Sequence, residues 1–371
     1  MADFDVSKPW VILIPSGIRP AKTAAEELSR ILNLLRQQAG LNLPPPEIFD
    51  DTRPVPKTAE AAEIVLNCAV SSPDADSAGN TEPLHKNGFA WRTGAGRVEI
   101  YGNSKQGLRK GLYNFLAALG IRWPEPDREE IPPAKSGAPA IYPLADSSAY
   151  QPDLGDPARR KRFLLSGVKG REAALVWAAR NGFDALVLPL REFPLPHKFG
   201  NRTLRTLASL YALDIEAGGA ELSSLVPRRL FSLNRELFRM EEGRRKKDGL
   251  FCVTNPKTIA VIQKNAARLF TNADAAVFHL WPDPKSDTRW CSCPNCRAFS
   301  PEEQNRIAVN AAADTLLKIK PWAQLSYYEP RDEMAAEDGP GEQNVPAEQT
   351  GYIAPRPNTF RIIITGGNTR I

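Results

Sequence analysis

The sequence predicts an α/β protein in two parts, a small α+β layer domain followed by a domain of alternating strands and helices, and three observations carry that expectation. The chain has 371 residues, beyond the roughly 100 to 200 of an ordinary domain. Its apolar segments change rhythm, from strand, helix, three strands and helix to a strict strand–helix alternation. Between the two rhythms lies Trp123–Pro152, one of the clusters among 33 prolines, which fits a long connection between short elements.

In the first part, Val11–Ile14 is a short apolar run closed by Pro15 and reads as a buried strand. Within Ala24–Ala39, residues Leu28, Ile31, Leu32 and Leu35 recur at the spacing of one helical face, and Gly40 supplies the stop. Glu63–Cys68, Gly88–Thr93 and Arg97–Tyr101 follow as strands, the last two joined by a turn at Gly94–Gly96. Ser104–Leu119 reads as a helix with Ser104 as its N-cap and Gly120 at its end. The GNSKQG turn at Gly102–Gly107 superficially suggests a phosphate loop, but the spacing is wrong and no Lys-Ser/Thr pair follows. One sheet with two helices over a face is therefore expected for residues 1–132, and a proline-rich linker for 133–158.

The second part, residues 159–371, alternates. Strands are expected at Phe163–Val168, Phe183–Leu188, Leu213–Ala217, Ala275–Trp281 and Ala323–Tyr328. Helices are expected at Arg171–Asn181, Thr203–Tyr211, Lys257–Phe270 and Pro301–Lys320. This alternation implies a parallel sheet and a TIM-type β/α barrel. A long polar segment, Gly218–Gly249, interrupts it, and Glu329–Asn358 reads as loop before a final strand at Thr359–Thr365. An eight-stranded barrel needs about 250 residues and only about 210 remain, so the barrel is expected to be incomplete.

Composition narrows the function. Apolar content of 42% and charged content of 25% are those of a globular protein. A net charge of +5, with short basic runs at Arg159–Arg162 and Arg244–Lys247 that lack interleaved aromatic residues, argues against nucleic-acid binding. The start is acidic rather than basic and the run Trp10–Pro15 is too short for a signal or a membrane span, so a cytoplasmic protein with no membrane partner is expected. A homo-oligomer stays open.

Of five cysteines, Cys291, Cys293 and Cys296 form C-x-C-x-x-C after a strand, with a turn signal at Pro294–Asn295. Thiolates so spaced converge on one ion when the loop turns back, and Cys252 is the natural fourth ligand because neighbouring β/α loops meet at one end of a parallel sheet. A closed four-cysteine zinc site of structural kind is the leading reading; unligated thiols and disulfides are the alternatives. No cofactor is required for catalysis, and His85, His197 and His279 support no Ser-His-Asp arrangement.

The first part resembles the small N-terminal domain shared by α-glucuronidases and family 20 β-hexosaminidases. The resemblance rests on AAEELSRIL at Ala24–Leu32, EIVL at Glu63–Leu66 and GFAWRTGAGRVEIYGNSKQGLRKGLYNFLAALGIRWPEPDREEIP at Gly88–Pro132. The second part is similar to a bacterial domain-of-unknown-function family, number 4838. Its marks are LFCVTNP at Leu250–Pro256, FHLWPDPKSDTRWCSCPNCRAF at Phe278–Phe299 and EQNRIAVNAAADTL at Glu303–Leu316. Together they imply a glycoside-hydrolase-like ancestry and a carbohydrate partner.

Glycosidases work with two carboxylic groups, and in barrels these sit at the C-terminal ends of strands. Asp283, after the strand VFHLWP, and Glu329, after QLSYYEP, are the expected catalytic pair, while Glu216 and Glu221 flank Gly218–Gly219. The resemblance implies an Asp-Glu pair at the end of the fourth strand, where this chain has Asp283–Pro284. Trp281, Trp290, Tyr327, Tyr328 and His279 lie at or beside these ends and are the expected substrate-binding residues, since flat aromatic faces stack on sugar rings. For each aromatic residue packing is an equal account, and for His279 a satisfied buried ring is an alternative. The function expected is that of a glycoside hydrolase-like protein acting on an oligosaccharide or polysaccharide fragment. The alternative is a non-catalytic carbohydrate-binding or degenerate, truncated relative.

Overall fold

The computed structural model of the chain describes residues 2–52, 61–68, 87–94, 96–134, 140–144, 148–151, 157–165, 167–193, 201–282, 289–328 and 355–362. Its first half runs through β1 (Ala2–Asp5), β2 (Trp10–Ile14), α1 (Arg19–Gln38), β3 (Glu47–Asp50), β4 (Ala62–Cys68), β5 (Phe89–Gly94), β6 (Arg97–Gly102) and α2 (Lys105–Ala118). It continues with β7 (Arg122–Glu125), β8 (Arg128–Glu130), β9 (Ile141–Leu144) and β10 (Ser148–Gln151). Six of these strands form one mixed sheet in the order β10-β5-β6-β4-β2-β3. The strands β3, β2, β4 and β6 run parallel, and β5 and β10 close the edge antiparallel.

Local chemistry explains the elements. Helix α1 lays Leu28, Ile31, Leu32 and Leu35 against the sheet, and α2 adds Leu108, Leu112, Phe115 and Leu116 to the same core with Ile12, Ile64, Val98 and Ile100. The first helix begins at Arg19, more than a turn before the apolar periodicity starts, because Pro20 occupies the first turn, where its missing N–H has no partner to lose. At α2 the Ser104 hydroxyl accepts the Gly107 N–H at 3.0 Å, the expected N-cap. Gly107 must be glycine, since a Cβ there would stand 2.3 Å from the Gly88 carbonyl oxygen. Within the stretch expected as linker, β9 pairs with β1 and β10 pairs with β5. Short edge strands tolerate proline because one side of the ladder needs no donor.

The second half contains β11 (Arg162–Leu164), α3 (Arg171–Arg180), β12 (Ala185–Leu188), α4 (Asn201–Leu210) and β13 (Asp214–Gly219). After a long excursion with the two-residue strands β14 (Met240–Glu241) and β15 (Arg244–Arg245), it resumes with α5 (Pro256–Asn272), β16 (Val277–Leu280), α6 (Pro301–Ile319), β17 (Gln324–Tyr328) and β18 (Thr359–Ile362). The six long strands form a sheet in sequence order, β11-β12-β13-β16-β17-β18, every neighbouring pair parallel. The sheet is rolled, for the Arg162 guanidinium of β11 lies over the Phe360 ring of β18 with 5.2 Å to its centroid, although among the described residues no ladder joins those edges. The α/β class and the parallel sheet expected from the alternation are thus present.

Side chains of α2 dock the two halves. Gln106 donates to the Asp184 carbonyl at 2.6 Å, and the Arg109 guanidinium donates to the carbonyls of Ala179 and Phe183, each at 2.6 Å. The Trp177 indole donates to the Trp123 carbonyl at 2.9 Å, and Arg180 pairs with Glu27 at 2.6 Å.

Candidate functional site at the strand C-termini

The parallel sheet has two ends of different character. At its N-terminal end a cleft of about 500 Å3 opens between the halves, lined among others by Lys110, Trp123, Arg160, Lys161, Arg180 and Asp184. In β/α barrels that end serves stability, and ligands are taken at the C-terminal end. The latter is therefore the candidate site, although the cleft between the halves opens at the other end.

Beneath the C-terminal face the sheet carries a chain of buried polar groups. Glu216 of β13, 2% exposed, accepts from Arg160 at 3.0 Å, from Arg162 at 2.6 Å and from His279 Nε2 at 2.8 Å. His279 of β16 is fully buried, and its Nδ1 meets the Ser326 hydroxyl of β17 at 2.5 Å. The Trp281 indole N–H donates to that same hydroxyl at 2.9 Å. The directions are mutually consistent: Trp281 donates to Ser326, Ser326 to His279 Nδ1, and His279 Nε2–H to the Glu216 carboxylate. Burial alone would raise the Glu216 carboxyl, but the His279 hydrogen bond and the charges of Arg162 and Arg160 outweigh it and bring it down to about 2. Burial lowers the His279 imidazole more than Glu216 raises it, so the ring stays neutral.

Five residues further along, Glu221 behaves oppositely. It follows β13 at the C-terminal end and accepts the Leu190 N–H at 2.7 Å. Burial raises its carboxyl above the ordinary range, and the nearby charge of Glu192 adds to this. Glu192 is itself paired with Arg171 at 2.9 Å.

The expected site residues fall out unevenly. Asp283 and Glu329 lie outside the described residues, as does the side chain of Tyr328. Trp281, Trp290 and Tyr327 are 7%, 8% and 6% exposed, with Trp290 edge-on to Phe251, so their faces are occupied by protein. His279 corrects its expected role: with both ring nitrogens engaged and no exposed surface, it is closed to a sugar in this arrangement. The Ser326 relay is what sequence reasoning did not find, while Glu221 is named there beside Glu216 as an acid flanking Gly218–Gly219. Burial acts on both acids, and what separates Glu221 from Glu216 is the pairing that Glu216 makes with Arg160, Arg162 and His279.

The four cysteines do come together. The Sγ atoms of Cys252, Cys291, Cys293 and Cys296 lie within 4.8 Å of one another, all buried. They join two segments on this face: Cys252 precedes α5, and the other three follow β16. These four residues could hold a metal ion.

No family model matches the chain, and no curated protein matches it. Solved structures do. The chain is similar to a glycoside hydrolase family 20 β-N-acetylhexosaminidase from Streptomyces coelicolor A3(2), at 12% identity over 97% of this chain and 65% of that one, with a TM-score of 0.50. It is also similar to the family 20 exo-β-N-acetylglucosaminidase of Vibrio harveyi, at 11% identity over 88% and 52% with a TM-score of 0.47. A third is the N-acetyl-β-hexosaminidase of Streptomyces plicatus, at 13% identity over 89% and 64% with a TM-score of 0.49. The chain thus spans less than two thirds of the length of each of these enzymes. At the level of fold, this chain is built like the family 20 hexosaminidases, a small α+β domain joined to a parallel β/α domain.

Proposed function

We propose that the protein is a glycoside hydrolase-like enzyme acting on an oligosaccharide or polysaccharide fragment by carboxylate acid–base chemistry at the C-terminal face of its parallel sheet. The observation that carries this reading is the parallel pairing of β16 and β17, from which the chain leaves on one side of the sheet. Asp283 comes three positions after Leu280, the last residue of β16, and Glu329 directly after Tyr328, the last residue of β17. Glycoside cleavage needs two acids, one to protonate the leaving oxygen and one to attack or to activate water, and these two follow adjacent strands in the sequence. Asp283 is assigned as proton donor or orienting group and Glu329 as its partner. Glu221, held protonated more readily than an ordinary carboxyl, is a further proton donor on the same face. The family 20 fold and the resemblance of the second half to the domain-of-unknown-function family support the same reading.

The test is hydrolysis of a panel of chromogenic glycosides, N-acetylhexosaminides and glucuronides by the purified chain. Turnover on at least one sugar is expected, falling by about 10²- to 10⁴-fold in Asp283→Ala and Glu329→Gln with the melting temperature unchanged. Full activity in both variants would overturn the assignment. A second reading, a non-catalytic carbohydrate-binding or degenerate relative, is favoured by the parallel sheet, which among the described residues has six strands against the eight of a closed barrel. It predicts calorimetric binding of a glycan with no turnover on any member of the panel.

A further inference from the structure

We infer that Cys252, Cys291, Cys293 and Cys296 form a structural zinc site that staples the excursion after β13 to the loop after β16. The geometry is that of a tetrahedral tetrathiolate. With zinc–sulfur bonds of about 2.3 Å, tetrahedral sulfurs stand about 3.8 Å apart. Cys252 Sγ lies 3.7 Å from Cys293 Sγ and 3.6 Å from Cys296 Sγ, and all four sulfurs fall within 4.8 Å. A disulfide would bring one pair to about 2 Å and leave the others aside. Here no pair is singled out, and all five cysteines of the chain are free.

The surroundings are built for thiolate rather than thiol. The Met240 backbone N–H points at Cys291 Sγ at 3.2 Å, and the Arg245 guanidinium approaches the same sulfur at 3.8 Å while anchored to the Phe238 carbonyl at 2.7 Å. Four thiolates around a divalent ion leave a double negative charge, which N–H donors and a fixed arginine offset. A cluster of neutral thiols has no such demand. The loop is shaped independently of the sulfurs: Gln304 of α6 accepts the Cys291 N–H at 3.1 Å and donates to the Cys291, Cys296 and Phe299 carbonyls at 3.2 to 3.3 Å. The loop that carries three ligands is thus held open from its own helix, and Cys252 arrives from the excursion, its N–H bound to the Leu237 carbonyl at 2.9 Å.

The consequence is mechanical. Residues 220–255 hold only short 3-10 turns and two-residue strands, so tertiary contacts, among them the burial of Leu225, Phe238 and Phe251, hold them in place. They are sewn to the loop by the Leu250 N–H to Arg289 carbonyl bond and by Ser292, whose N–H and hydroxyl both donate to the Met240 carbonyl. Zinc at the centre of these contacts makes one rigid wall of the C-terminal face out of two loops. The site is independent of whether the face hydrolyses a glycoside.

Elemental analysis of the full chain, purified without added metal, tests the proposal. It is expected to give about one zinc per chain, released on titration of four thiols by an organomercurial and followed with a colorimetric zinc indicator. Replacing the zinc with cobalt(II) is expected to give the near-ultraviolet charge-transfer and strong visible bands of a tetrahedral tetrathiolate. Stripping the zinc is expected to speed tryptic cleavage in the exposed Glu242–Arg244 turn on the order of tenfold, with re-addition restoring protection. All five thiols titrating freely with no bound metal, a disulfide in the mass spectrum, or stoichiometric iron in place of zinc would each overturn it. These readings use the native chain and do not depend on a cysteine variant folding.

Discussion

Glu216 and Glu221 are five positions apart, yet their environments drive them in opposite directions. Glu216 is ringed by Arg160, Arg162 and His279 and stays ionised, while Glu221 is desolvated beside Glu192 and holds its proton longer. Separated pKa values of this kind distinguish an acid that can donate from a carboxylate that holds structure. The structural one has a measurable consequence. His279 and Glu216 both sit below their ordinary values of 6.5 and 4.5 in the folded chain, so below those values the unfolded chain binds more protons. Their stabilisation is complete above pH 6.5 and is lost as pH falls, first through the histidine and then between 4.5 and about 2 through the glutamate. The urea midpoint is therefore expected to drop from pH 7 to pH 5, and His279→Gln to flatten that slope. Equal slopes in the two proteins would show that His279 is not the group that titrates.

Among the elements, β13 turns an ordinary parallel strand into the floor of a site. Gly218 and Gly219 end it with φ of +122° and +127°, a region that side chains avoid. A Cβ on Gly218 would stand 2.0 Å from the carbonyl oxygen of His279, on the neighbouring strand. The pair lets β13 lie close against β16 and turns the chain so that Glu221 comes under Leu190. Gly218→Ala is expected to displace β16 or to abolish folding, seen as loss of soluble protein or as a fall in unfolding free energy of about 3 kcal/mol or more. A variant with wild-type stability would mean that β13 and β16 are not paired as described. The glycine pair was visible in the sequence, but its purpose was not, because the oxygen that forbids a side chain comes from a strand about sixty residues away.

For the molecule as a whole, α2 couples the halves. Arg109 is 4% exposed, and burial brings its guanidinium down to about 10. Its two bonds to the Ala179 and Phe183 carbonyls cross from one half to the other. Arg109→Leu removes the charged donor from both carbonyls, of which Ala179 keeps a backbone donor in Gly182, at a cost of about 2 to 3 kcal/mol. Scanning calorimetry is expected to resolve separate transitions for the two halves in the variant. A single transition at the wild-type temperature would show that the halves are coupled by other contacts.

What the sequence by itself determined was local. Apolar spacing located α1 through α6 and the long strands of both sheets to within a few residues, Ser104 announced its cap, and the alternation after residue 159 announced a parallel sheet. These signals are legible because periodicity, capping and turn chemistry act between residues close in the chain. Short edge strands such as β1, β3, β9 and β10 escaped, since four-residue segments become strands only when a partner supplies the ladder. In the site, the spacing of Cys291, Cys293 and Cys296 was legible and the rule that β/α loops meet at one end supplied Cys252. Tertiary structure alone decided which way Trp281 and Trp290 face, that His279 is sealed between Glu216 and Ser326, and that the Glu221 carboxyl is raised while that of Glu216 is lowered. Desolvation and charge pairing are properties of the space around a group, and that space is filled by residues far away in the chain.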